Sequence, residues 1–277
     1  MFDSDMLQQA ALRIKEKNAS PEYQKAIERF RGEMIRMEQL AAELEAKLPA
    51  IRALAEKETV RTEYARGSDL HRGYYCPSPV FDFVVSNAHR GKLLKQVTMM
   101  SKPSHEYGFS SDGRLLWCRC LHNKATVMTE YLVTDGARII GIMLGSDEQL
   151  KTVSEEIVQD GKLLSFLQAK FWLGSSPREC QEITAEHYVY DENGLLSSQW
   201  HELMLPMKEI PAFLRDVAGS SPFLQQPIYR SNEFLYERAD GFLSGYRSHG
   251  QLYKGLTKRS AQPTTQINGI NLMDIKE

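Results

Sequence analysis

Residues 159–164 read QDGKLL, an acidic turn ending in glycine that opens an aliphatic run. The phrase recurs as HRGKLL (89–94), SDGRLL (111–116), TDGARII (134–140), DENGLL (191–196) and RADGFL (238–243). Asp-Gly between strand-forming residues is a strong local hairpin signal, because a type I′ turn needs two residues with positive φ. The glycines lie 22, 23, 25, 33 and 47 residues apart. The first three intervals each fit one hairpin unit, two strands of about eight to nine residues and two tight turns. The chain therefore reads as a run of antiparallel hairpins.

The strands flanking these turns follow directly. FDFVV (81–85) pairs with KLLKQVTMM (92–100), and HEYGF (105–109) with RLLWCRCLH (114–122). TVMTEYLV (126–133) pairs with RIIGIML (138–144), and VSEEIV (153–158) with KLLSFLQAKFW (162–172). EITAEHYVY (182–190) pairs with LLSSQWHELML (195–205), and NEFLYE (232–237) with FLSGYRS (242–248). The long interval holds MKEIPAFLRDVAG, read as a short helix over 207–218. Many strands are apolar on both faces. In RLLWCRCLH, strict alternation puts Leu115, Trp117 and Leu121 on one face and Leu116, Cys118 and Cys120 on the other. A sheet with one wet face alternates cleanly instead, so both faces must be covered.

Residues 1–66 supply a helical cover. Ser20-Pro21 is an N-cap and first-turn pair. From there Tyr23, Ile27, Phe30, Met34, Met37, Ala41, Leu44, Leu48 and Ile51 recur at alternating four- and three-residue steps, a heptad stripe. Pro49 is expected to kink or end the helix, with a second segment from Ile51 to Tyr64. As a parallel homodimer the stripe would set Glu33 against Glu38 and Lys47 against Arg52, so intramolecular packing is favoured over a coiled coil. Residues 67–80 read as a linker, 81–258 as the meander and 259–277 as a polar tail. The expected fold class is α+β: an N-terminal helical segment on a large curved antiparallel meander of about ten to twelve strands.

Composition excludes some roles. A net charge of −2 over 277 residues argues against nucleic-acid binding through a basic field. No apolar run reaches the ~18 residues of a membrane-spanning helix. The N-terminus lacks a basic stretch followed by an apolar one, and four cysteines without an export signal point to reduced thiols and a cytoplasmic setting.

Tyr188, Tyr190, Asp191, Gly194 and Leu196 spell Tyr-x-Tyr-Asp-x-x-Gly-x-Leu. This resembles the Tyr-Asp repeat of the rearrangement-hotspot shell proteins, which enclose a toxin. The resemblance covers about half of the chain. It implies a continuous hairpin-built sheet, a meander that small toxin-neutralising proteins can also use by analogy.

Candidate chemistry is sparse. Cys118, Cys120 and His122 share one face of an extended strand and could join His105, His187 and His201 in a zinc site. Thiols two residues apart on a strand are roughly 6.5–7 Å apart and would need distortion to share an ion. Cys76, near His71, and Cys180 are the remaining thiols, neither within a nucleophile signature. No hydrolase, metalloprotease, phosphate-loop or dinucleotide motif is present. The aspartates before the glycines suit turns better than calcium. Aromatic residues, among them Phe166, Tyr188, Trp200, Phe234, Tyr236 and Tyr246, point to a core or to a groove on the concave face, with Arg119, His187, His201 and Trp200 as ligand contacts. The expected function is a non-enzymatic cytoplasmic binding protein with another protein as partner, or a homo-oligomer. The alternative is a small-molecule-binding or zinc-dependent activity using Cys118, Cys120 and nearby histidines.

Overall fold

The computed structural model describes residues 9, 12–13, 15–67, 71–80, 91–98, 100–172, 178–206, 226–239, 242–254 and 269–275. Helix α1 (Pro21–Glu58) is followed by strands β1 (Arg61–Arg66), β2 (Lys92–Leu93), β3 (His105–Phe109), β4 (Leu115–His122) and β5 (Ala125–Asp135). Then come β6 (Arg138–Gly145), β7 (Leu150–Gln159), β8 (Lys162–Phe171), β9 (Cys180–Asp191) and β10 (Gly194–Met204). The last are β11 (Ile228–Ala239), β12 (Phe242–Ser248), β13 (Gln251–Lys254) and β14 (Ile270–Asn271). All belong to one 14-stranded sheet, open and curved, in which β3 to β13 follow each other in sequence order. The α+β meander read from the sequence is the observed architecture. The segments 81–85 and 207–218 and the turn at 240–241 lie outside the described residues.

The turns form where the glycines stand. At the β7–β8 hairpin Asp160 and Gly161 have φ of 51° and 73°, the pair of left-handed residues that a type I′ turn requires. The β4–β5 turn uses Asn123 and Lys124, at 49° and 68°, in the same way without any glycine. The turn aspartates are held locally. Asp191 Oδ1 accepts from Asn193 N at 2.8 Å and from Arg238 at 3.0 Å.

Helix α1 lies across the strands of one face, here the helix side. Tyr23 meets the edge of Tyr229 on β11, with centroids 5.2 Å apart. Arg36 pairs with Glu155 on β7 at 3.0 Å, and Thr59, just past the helix, accepts from Trp117 Nε1 on β4 at 2.9 Å. From β4 to β11 is about 34 Å at ~4.8 Å per strand, and 38 residues of helix span about 57 Å, so one helix crosses the breadth diagonally. The buried helix residues Ile27, Phe30, Met34, Met37, Ala41, Leu44 and Ile51 all belong to the heptad stripe. They join Leu116, Val133, Ile140, Ile142, Val153, Ile183 and Leu203 in the main core. Ser20 caps the N-terminus by accepting from Tyr23 N, as the sequence indicates.

Several readings change. Pro49 lies inside α1 without ending it, because the stripe packs on both sides of it and outweighs the roughly 3 kcal/mol that an interior proline costs. Residues 61–66 are strand β1, not helix; Val60 N already donates to Phe109 O at 2.9 Å, and the β1 backbone completes the edge of β3. Among the described residues of 92–100, only Lys92–Leu93 is strand, and it pairs with β1. A bulge opposite Gly108/Phe109 breaks the alternation of β4. Leu115 and Cys118 consequently share one face, while Leu116 and Trp117 share the other. The described part of the tail, 269–275, is not a loose arm. Ile270 and Asn271 form β14, parallel to Val133 and Thr134, where β5 outruns its pairing with β4.

Residues 71–80 are a strap rather than a linker. Arg72, Gly73, Tyr75, Cys76, Pro77, Ser78 and Val80 are buried against the second face of the sheet, here the strap side. Tyr75 packs with Tyr107, Phe109 and Leu115 near β3 and β4. Val80 packs with Leu163, Phe166, Tyr188, Phe234, Tyr236 and Tyr246 toward β8 to β12.

Met37 is fully buried at the centre of the helix stripe. Met37→Ala is expected to cost about 2–5 kcal/mol in urea unfolding, whereas Ile35→Ala, on the exposed side of α1, stays within about 0.5 kcal/mol.

Candidate functional site

The densest polar chemistry lies under the strap. Glu130 on β5 and Ser154 and Glu156 on β7 point to the strap side and are buried. Arg72 enters between them from a left-handed backbone (φ 56°) with its side chain wholly shielded from solvent. Its Nε and Nη2 donate to the two oxygens of Glu130 at 2.9 and 2.8 Å, Nη1 donates to Glu156, and Nη2 also reaches Ser154 Oγ at 3.1 Å. His71 donates from Nε2 to Glu130 Oε2 at 2.9 Å. Gly141 on β6 makes the space: a methyl group there would overlap Glu130 Oε1, Ser154 Oγ and Arg72 Nη2. Tyr107 donates its hydroxyl to Arg72 O at 3.1 Å and accepts from Tyr74 N at 2.9 Å, which fixes the strap turn.

The charges in this cluster are set by burial against proximity. Burial opposes ionisation of Glu130, yet Arg72 and then His71 override it and hold the carboxyl well below its usual range. Burial lifts Glu156 above its ordinary value, with Arg72 only partly offsetting it. Burial would also disfavour the Arg72 charge, but Glu130 and Glu156 more than restore it. Four hydrogen bonds tie the guanidinium to these side chains, so the unit is an ionic latch suited to holding the strap rather than to proton transfer.

Glu186 on β9 is different. It is fully buried, opposite Phe166 on β8 and Trp200 on β10. Its Oε2 accepts from Ser78 of the strap at 2.6 Å and from the Tyr188 hydroxyl. Its Oε1 is buried without a hydrogen-bond partner, and His71 Nδ1 shares that condition. Burial pushes the Glu186 carboxyl up to about 7, the two hydroxyls offsetting only part of the effect. A buried acceptor left unpaired costs about 1–3 kcal/mol, so this position carries strain that the fold does not itself relieve.

The ligand residues named from the sequence do not converge. His187 and His201 lie on the helix side with ring centroids 6.3 Å apart, and His201 bonds the Tyr229 hydroxyl at 2.8 Å and packs on Phe30. Burial, then His187 and Arg29, lowers His201 to about 4. Trp200 is on the opposite face, in the cluster of Phe166 and Tyr188. Arg119 is on β4, about 24 Å from β9 at ~4.8 Å per strand, stacked on Trp117 and paired with Glu106. The thiols are similarly dispersed. Cys118 is buried beside Tyr107 and Leu132, and burial followed by Glu130 raises its pKa well above the ordinary value. His122 is exposed at the strand end, and Cys120 stands opposite buried His105. Among the described residues no group of three or more His, Cys, Asp or Glu side chains is arranged to hold a metal ion. Cys180 is buried and its thiol is pushed up to about 12, so it presents no thiolate; Cys76 is buried within the strap.

On the helix side, beyond the N-terminal end of α1, a groove of about 500 Å³ opens over β10 to β12 and the β12–β13 turn. Gln199, His201, Glu233, Leu235, Arg247 and His249 line it. Val189 and Leu235 border this uncovered region, 52% and 48% exposed. Arg72, Glu130, Glu156 and Glu186 were not singled out in the sequence. The one available signal was the pairing of charged residues with apolar ones inside strands, as in SEEIV and AEHYV.

No protein-family model matches the chain, and no curated protein matches it. Among solved structures, a porin-like protein from Bacteroides uniformis is similar at 14% identity over 57% of this chain and 91% of that chain, with a TM-score of 0.17. A score of that size carries no argument about fold or function. Among the described residues no helix is long and apolar enough to cross a membrane, which says nothing of a β-barrel.

Removing the Arg72 charge leaves two buried carboxyls unpaired. Arg72→Met is expected to lose about 3–5 kcal/mol in urea unfolding, with part of that loss recovered when Glu130→Gln and Glu156→Gln are added. The Glu186 carboxyl has its folded-state pKa raised from 4.5 to about 7. Its contribution is fully present below pH 4.5 and lost as pH rises to 7, so wild type should weaken by roughly 3 kcal/mol relative to Glu186→Gln across that window. His201 acts with the opposite sign: its contribution is present above pH 6.5 and lost as pH falls toward 4.

Proposed function

We propose that this protein is a non-enzymatic binding protein that holds a protein partner on the part of the helix side left uncovered by α1. The observation that carries this reading is the exposed apolar row over β9 to β11. Val189, Ser197, Leu235 and Arg247 face one another across four strands. Both large apolar members are about half exposed beside the 500 Å³ groove. A rigid sheet that presents aliphatic side chains flanked by Arg247 and Glu233 suits a partner with an apolar strip and a few charges. The catalytic alternative has less to rest on, since Cys76, Cys118 and Cys180 are buried, Cys120 is half-buried, and the histidines named for it are split between sites.

Affinity enrichment with the full chain tests the reading when wild type and Leu235→Glu are compared. The expected outcome is a stoichiometric partner retained by wild type and lost by the variant, with unchanged thermal unfolding. Light scattering of the purified chain tells whether that partner is a second copy. Identical recoveries with both baits would remove the proposed face.

A further inference from the structure

Three buried carboxyls lie on the strap side: Glu130, Glu156 and Glu186. Two of them share the Arg72 guanidinium. Among the described residues no cation reaches the third. Both hydroxyls that Glu186 receives, from Ser78 and Tyr188, go to Oε2, and Oε1 has no partner. His71 supplies a second unpartnered atom. A carboxylate cannot donate, so His71 gives its Nε2 proton to Glu130, and its buried Nδ1 has no hydrogen-bond partner. Both groups adjoin one side chain. The His71 ring centroid is 5.9 Å from that of Phe166, and Glu186 stands directly opposite Phe166 in the β8–β9 ladder. Tyr188 and half-buried Trp200 add aromatic surface.

Once Glu186 ionises, its unpartnered Oε1 beside aromatic faces calls for a ligand that brings N–H donors and positive charge. We propose that Glu186 and His71, walled by Phe166, Tyr188 and Trp200, form a binding site for a small organic ammonium ion. The same face already accepts a guanidinium on the two neighbouring carboxyls, which shows that the sheet can bury a cation there. Binding is linked to a proton. The neutral Glu186 carboxyl gives up its proton to solvent as the ammonium arrives, and the carboxylate then pairs with it. Among the described residues the titratable groups facing Glu186 are Tyr188 on its own strand and Tyr236 on β11, with His71 on the strap and, past Phe166, Glu156 with Arg72 farther off. A Glu186 carboxyl raised to about 7 is consistent with that exchange near neutral pH.

Calorimetric titration of the full chain with methylammonium and n-butylammonium chloride, with n-butanol as the neutral counterpart, tests the site at pH 6 and pH 8 in two buffers of different ionisation enthalpy. The expected result is saturable binding of one ammonium per chain, at least tenfold tighter than n-butanol. It should be roughly tenfold tighter at pH 8 than at pH 6, with close to one proton released at pH 6. Glu186→Gln should weaken it at least tenfold with an unchanged circular dichroism spectrum. Absence of saturable ammonium binding, equal binding of n-butanol, no proton release at pH 6, or undiminished binding in a folded Glu186→Gln would each overturn the proposal. Should that variant fail to fold, proton release and the n-butanol comparison on wild type decide. The site is on the opposite face from Leu235, so Leu235→Glu is expected to leave it intact, and the two proposals stand or fall separately.

Discussion

A sheet of fourteen strands with buried side chains on both faces must be covered twice, and this chain does so with two unlike devices. On one side a long amphipathic helix crosses from β11 to β4 and buries an aliphatic stripe. That contact is non-directional and scales with the apolar area removed from water. On the other side ten residues of strap lie over a surface where apolar clusters flank buried charges, and placement over those charges depends on directed bonds. Arg72 between Glu130 and Glu156, and Ser78 on Glu186, fix the strap at two points.

The two covers differ in what they contribute. Burying Phe30, Met34, Met37 and Leu44 supplies net stability. A buried Arg with two carboxyls comes near to breaking even against desolvation, while breaking it is costly. Its value is positional: only one register of the strap puts the guanidinium over Gly141, where the backbone leaves room for it. With the Arg72 positive charge matched against two carboxyls, Glu186 is the carboxyl whose charge this face does not compensate. It accordingly holds its proton up to about neutral pH.

Much of the meander was legible, because turn chemistry is local. Gly113, Gly136, Gly161 and Gly194 all have positive φ, and each lies at the turn its motif predicts. The Asn123-Lys124 turn carries no such motif, because the same backbone is reached there without glycine. The helix stripe was legible for a similar reason, since period and burial coincide. Strand β1 was not, because its partners Tyr107 and Leu93 are 44 and 28 residues away from Glu63 and Ala65. The bulge at Leu116 reversed the facing of the β4 residues and with it the basis for grouping Cys118 with Leu116. Residues 67–80 read as a linker because glycine, proline and serine carry no periodicity, yet seven of the residues from 71 to 80 are buried.

The amino-acid sequence by itself determined the hairpin succession, the striped helix and the need for two covered faces, since each rests on φ preferences or periodicities acting within a few residues. Only the tertiary structure decided which polar side chains meet. Arg72 and Glu156 are 84 residues apart, and Ser78 and Glu186 are 108 apart. Their encounter follows from how the strap is laid over a curved sheet, and no local preference encodes it. The candidate chemistry belongs to that second class, because a burial-shifted carboxyl exists only once the surrounding chain has excluded water from it.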